Sequence, residues 1–171
     1  FSTGECADLL CVLQAVADGG VGSLKKALAT DWFGLSGPDV AGLVTDDQLL
    51  AQWQKRFGSY QQLWFEHGFF SMITRLLRTE QVYLTLCSLP RAERRMANIE
   101  HLIELIQQAV DQEQLSITAT CQRLQHLHAG IGHSEARELR LESDAAAVTI
   151  MTMHGAKGLE FHTVFVVGCE E

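Results

Sequence analysis

The chain has 171 residues, 47% of them hydrophobic, and a formal net charge of −8. That length suits one domain, or one domain with part of another, and the composition is ordinary for a packed core. Nothing approaches the ~20 unbroken apolar residues that span a bilayer, no secretory signal opens the chain, and an acidic body does not wrap nucleic acid by bulk electrostatics.

Any nucleic-acid contact has to be local. The densest basic spots, Lys25-Lys26 and Arg91, Arg94 and Arg95, read as solvated helix faces. Cys6, Cys11, Cys87, Cys121 and Cys169 are odd in number and show no Cys-x-x-Cys spacing, which argues against a disulfide framework or a structural zinc site. Reduced, mostly buried thiols and a cytoplasmic location fit best. His126 and His128 fall on different faces of a helix and read as surface residues. The chain opens at Phe1 and stops at Glu171 straight after an apolar run, so both ends read as cuts through a longer protein.

In chain order, residues 5–17 carry Leu9, Leu10, Val12, Leu13 and Val16 on one broad face, the period of a helix, with Ser2 or Thr3 as a cap and Gly19-Gly20 as its end. Ser23 is placed to cap a short helix, 24–29. Pro38 sits at a first-turn position of another. Thr45-Asp46-Asp47 opens a helix with Leu49, Leu50, Trp53 and Phe57 inward, which Gly58-Ser59 is expected to break. Residues 60–67 form the next helix and Gly68 ends it. Residues 69–78 follow, with Phe70, Ile73, Leu76 and Leu77 at helical spacing. The aromatic set Trp53, Phe57, Tyr60, Trp64, Phe65, Phe69 and Phe70 reads as a core of short packed helices, because the basic residues that a nucleobase platform needs are sparse. Pro90 opens the longest helix, with a stripe of Met96, Ile99, Leu102, Ile103, Leu105, Ile106 and Val110. Residues 116–128 form a further helix, with Ile117, Cys121, Leu124 and Leu127 inward, and Gly130 to Gly132 a loop.

The pattern then changes. Residues 147–153 are β-branched and apolar, and 164–167 are a near-continuous apolar run. Such runs fit strands covered on both faces of a mostly parallel sheet. Two strands alone make no stable sheet, so this end reads as a piece of an α/β domain.

Between the runs, Thr152 and His154 stand near the carboxyl end of a strand, where open α/β sheets place ligands. Gly155 and Gly158 let backbone approach an anion, Lys157 brings a point charge for phosphate, and Glu160 can accept from a sugar hydroxyl or an arginine. On spacing alone, an anion site and a plain strand–turn–strand link with surface polar groups both remain open. No Walker A loop or Gly-x-Gly-x-x-Gly fingerprint occurs in the chain, and no catalytic-triad, paired-carboxylate or HExxH pattern stands out.

The stretch Thr149-Ile-Met-Thr-Met-His-Gly-Ala-Lys-Gly-Leu-Glu-Phe161, with Val164-Phe-Val-Val-Gly168, closely resembles motif V of the UvrD/Rep superfamily 1 DNA helicases. Arg140-Leu-Glu-Ser-Asp144 is similar to the entry to that motif in the RecB family, the beta chains of exodeoxyribonuclease V. Residues 93–105, 13–16 and 27–30 are similar to that family more loosely. The resemblance implies a mainly α chain. A helical region like subdomain 2B, with flanking motor-domain pieces, would occupy 1–143. A short two-strand start of an α/β RecA-like motor-domain segment carrying motif V would occupy 144–171.

The resemblance further implies an ATP-dependent helicase-nuclease parent acting in recombinational repair of double-strand breaks. That parent would use ATP and Mg2+, with single-stranded DNA, RecC- and RecD-like subunits and the remaining motor domains as partners. Thr152 and His154 would face the DNA backbone. Lys157, Gly158 and Glu160 would lie on the nucleotide side and couple the two, with Glu160 near the ribose. A UvrD-, Rep- or AddA-type parent is the alternative within the superfamily, and a stand-alone helical interaction module the alternative outside it. His162 departs from the proline that many relatives carry. The Walker A, magnesium-binding and arginine-bearing motifs, and any nuclease signature, are absent from this stretch, so alone it should neither hydrolyse ATP nor unwind nor cut DNA.

Overall fold

The computed structural model of the chain describes residues 4–128 and 163–166, the side chains of 44, 45 and 127 excepted. The chain divides into two compact units, Phe1–Leu141 and Glu142–Glu171, and helices α1–α7 belong to the first. Every regular element among the described residues is a helix.

Helix α1 (Gly4–Asp18) buries Cys6, Leu9, Val12, Leu13, Ala15 and Val16. So wide an apolar surface cannot be covered by one neighbour, and α1 packs against the helices Val21–Leu28, Asp47–Thr79, Ala92–Glu113 and Ile117–His128. Gly19 closes it, its N–H donating to the Ala15 carbonyl at 3.1 Å. The Asp18 carboxylate then accepts from the Gly20 N–H at 2.7 Å and from the Ser23 hydroxyl at 2.5 Å. That side chain starts α2 (Val21–Leu28) earlier than expected, with Gly20 rather than Ser23 at the cap. Trp32, fully buried, and Thr30, bonded to the Ala27 carbonyl at 2.7 Å, hold the turn that follows. A Cβ on Gly34, whose φ is +62°, would meet the Thr85 methyl at 2.9 Å, so the chain there both turns left-handed and comes close to the helix Val82–Cys87.

Helix α3 (Gly37–Thr45) begins with a reciprocal capping box between Ser36 and Asp39, and Pro38 sits in its first turn as expected. Asp46 caps α4 (Asp47–Thr79), accepting from the N–H groups of Gln48 at 3.0 Å and Leu49 at 2.9 Å.

Gly58-Ser59 does not break α4. The Ser59 hydroxyl donates to the Arg56 carbonyl at 2.6 Å inside the helix, and buried Phe57 and Tyr60 hold the backbone on either side. The break falls at Gly68, with φ 82° and ψ 173°. The apolar register requires it. Phe57, Tyr60 and Trp64 project a stripe whose next helical positions, 68 and 71, are glycine and serine. The buried residues that follow are Phe69, Met72, Ile73, Leu76 and Leu77, one position out of phase. A kink resets that phase.

Helix α5 (Val82–Cys87), which was not expected, buries Val82 and Leu86 one turn apart, after Gln81 in the left-handed region. Helix α6 (Ala92–Glu113) buries Ile99, Leu102, Ile103 and Ile106, the centre of the expected stripe, while Met96 and Val110 are half-buried against the core. Helix α7 (Ile117–His128) turns Cys121 and Leu124 inward. The Ser116 hydroxyl accepts from the Ala119 N–H at its start.

The apolar run at 164–166 is a correction. These residues adopt no regular secondary structure, and Val164, Phe165 and Val166 are exposed. A strand needs neighbours to take its ladder hydrogen bonds, and no strand occurs among the described residues to supply them. The run expected at 147–153, the Gly130–Gly132 loop, Cys169 and the proposed cap at Ser2 or Thr3 lie outside the described residues.

Candidate functional site

Thr152, His154, Lys157, Gly158 and Glu160, the residues the sequence singles out, lie outside the described residues. The chemistry that the described residues do bring together sits in the helical unit, at three places.

The first is a charge cluster around Arg95. Its Nε lies 3.2 Å from Glu5, and a terminal nitrogen lies 2.6 Å from Asp31 and 3.8 Å from Asp8. The guanidinium therefore ties α1, the α2–α3 connection and α6 together. This corrects the reading of Arg95 as solvated: its side chain is 17% exposed, whereas Arg91 and Arg94 are exposed as expected. Local sequence could not show the cluster, because Asp31 is 64 positions away. Three carboxylates meet one cation. Burial first, then the negative charge of Asp31 and Glu5, push the Asp8 carboxyl up to about 6, against the pull of Arg95.

The second is Glu80, whose side chain is 4% exposed. It accepts from Arg56 at 3.0 Å and from the Tyr60 hydroxyl, so the buried carboxylate has two partners. Burial and Glu80 together hold the Tyr60 phenol above its ordinary range. Arg56 also lies 4.6 Å above the Trp53 ring.

The aromatic residues divide. Phe57, Tyr60, Trp64 and Phe69 are buried, and Trp53 is half-buried against the core. Phe33, absent from the sequence-based set, joins them, meeting Trp53 edge-on at 5.7 Å and Phe57 at 5.9 Å. Phe65 and Phe70 instead face solvent at 85% and 59% exposure, which corrects their place in the core.

The third place is a hollow of about 450 Å³ between α4 and α6, next to Phe70. Tyr83 of α5 lines it, and its phenol is pushed up to about 12, chiefly by burial and then by the charge and hydrogen bond of Glu100.

No group of His, Cys, Asp and Glu able to hold a metal occurs among the described residues. Cys6 and Cys121 are buried and Cys87 exposed, and all are free thiols, as is Cys11. Burial raises the Cys6 and Cys121 thiols to about 11, which leaves them protonated and unreactive near neutrality. No helix among the described residues is long and apolar enough to cross a membrane.

Residues 44–171 match the UvrD-like helicase C-terminal domain. The chain belongs to the UvrD-like helicase family. Within that family it is 31% identical over 167 residues to the RecBCD enzyme subunit RecB of Escherichia coli, covering 97% of this chain and 14% of that protein. It is 30% identical over 166 residues to the RecB subunit of Haemophilus influenzae, with 97% and 14% covered. DNA helicase II of Escherichia coli is 39% identical over 83 residues, covering 47% of this chain and 11% of that protein. The chain thus spans about a seventh of the RecB subunits it matches.

Proposed function

We propose that this UvrD-like helicase segment is the 2B-like helical region, with the start of the motif V segment, of a RecB-type subunit. The parent subunit uses ATP to move along single-stranded DNA and contributes to helicase-nuclease repair of double-strand breaks. The observation that carries the reading is similarity to RecB subunits over 97% of the chain, through the helical body as well as the loop. A UvrD-type parent is the second reading, favoured by the match to DNA helicase II at higher identity over a shorter stretch.

The described residues fit neither a nucleotide nor its metal, since they present no metal-holding group and no phosphate-binding loop. ATP and Mg2+ are assigned to the parent subunit. The helical unit supplies a packed body, clamped by Arg95 and Glu80, that holds its surfaces in fixed register. In the loop, Thr152 and His154 are assigned to the DNA backbone. Lys157, Gly158 and Glu160 are assigned to the nucleotide side, so that closure on one ligand is felt at the other. RecC- and RecD-like subunits are the partners this parent would have, in the cytoplasm. The test is DNA-stimulated ATP hydrolysis and ATP-driven unwinding by the full-length parent. A purified parent showing neither, with or without its partner subunits, contradicts the assignment.

A further inference from the structure

The hollow between α4 and α6 is built like a receptor for a helix. Phe70 and Leu77 stand two turns apart on α4 and face Ile103 of α6 across the gap. At 1.5 Å per residue, that wall is about 10 Å long, enough to seat roughly two turns of an incoming helix. The floor is dry, since Ile103 and Leu77 are under a tenth exposed, while the rim residue Phe70 stands more than half in water.

The rims carry opposite charge. Glu100 and Glu104 line the α6 side, both exposed, and Glu104 is 80% exposed at its side chain. The α4 side ends in Arg78, which makes no ion pair among the described residues. A second copy of this chain is a poor occupant, because each copy carries a net charge of −8 and like charge opposes their approach. An apolar stripe flanked by lysine or arginine on one side satisfies both the floor and the acidic rim.

We infer that the α4–α6 groove is a docking site for an amphipathic helix of a partner protein. That helix carries its basic residues along the flank facing Glu100 and Glu104, and it buries Phe70. The inference does not depend on the RecB-type reading, because it rests on the groove alone.

The probe is a fluorescein-labelled helical peptide of about 18 residues, with leucines at i, i+3, i+4 and i+7 and lysines along one flank. A matched peptide carries glutamates in place of the lysines. Anisotropy titration with the 171-residue chain should give a Kd on the order of 10–100 µM for the lysine peptide, and binding at least about tenfold weaker for the glutamate peptide. Phe70→Asp, at an exposed position and checked for unchanged circular dichroism, should weaken the lysine peptide by about tenfold or more. Glu104→Lys should shift preference toward the glutamate peptide. Equal binding of the two peptides, no binding of the lysine peptide below about 1 mM, or unchanged binding by Phe70→Asp overturns the proposal. So does sedimentation showing a dimer that Phe70→Asp dissolves, which would assign the groove to a second copy.

Discussion

Asp8→Asn should stabilise the chain at neutral pH, and more so than at pH 4. The Asp8 carboxyl is raised from 3.8 to about 6, first by burial and then by Asp31 and Glu5. The native state therefore binds this proton more tightly than the unfolded chain does. The stability it contributes is complete below pH 3.8 and is lost as pH rises through about 6. Roughly 2 pH units at about 1.4 kcal/mol each set a ceiling near ~3 kcal/mol. The side chain is 21% exposed, and screening by solvent brings the expected effect to roughly 1–2 kcal/mol. The asparagine cannot ionise, and Arg95 keeps Glu5 and Asp31 as partners. The assay is urea unfolding of both proteins across pH 4 to 8. The stability difference in favour of Asp8→Asn should grow between about pH 4 and 6 and then level off. A difference that is flat across that range, or that shrinks as pH rises, refutes the account of the Arg95 cluster.

Gly68→Ala should cost roughly 1–3 kcal/mol in the same unfolding assay, because its backbone lies where essentially only glycine is at ease. No atom lies within 4 Å of the added Cβ, so the cost is conformational, and a neutral substitution would show that the kink is not required. The isolated chain should show no ATPase activity with or without DNA, and turnover in a clean preparation would sink the idea that it lacks the nucleotide machinery. Its affinity for single-stranded DNA should be weak and fall with salt, given the net charge of −8; tight binding in anisotropy titrations at physiological salt would contradict this.

Most of the helical body was legible because it follows rules that act over one or two turns. Pro38 in the first turn of α3, the opening of α4 at Thr45-Asp46-Asp47 and the stripe from Ile99 to Ile106 are all local signals, and each appears as expected. Gly58 and Gly68 show where local reasoning fails. Both are glycines in one helical stretch, and only the phase of the buried residues around them tells which one breaks it. That phase is present in the sequence, since the stripe through Trp64 cannot continue into Phe69 without a slip. Helix α5 was missed because Val82-Tyr-Leu-Thr-Leu-Cys87 is rich in residues that favour strands, and packing against α4 and α6 overrides that preference. The Arg95 cluster and the exposure of Phe70 could not be seen, because both depend on which distant segments meet. At the loop the order reverses: a long, specific motif singles out Thr152 to Glu160 in the sequence, and these residues lie outside the described ones.

The central claim is that this loop couples ATP to DNA in a larger helicase. It is tested most directly by the number of ATP molecules hydrolysed per base pair unwound in the full-length parent, for wild type, His154→Ala and Glu160→Ala. The account predicts folded variants that still hydrolyse ATP but spend many more molecules per base pair, or fail to unwind at all. Wild-type unwinding at the wild-type ratio in both variants would contradict it.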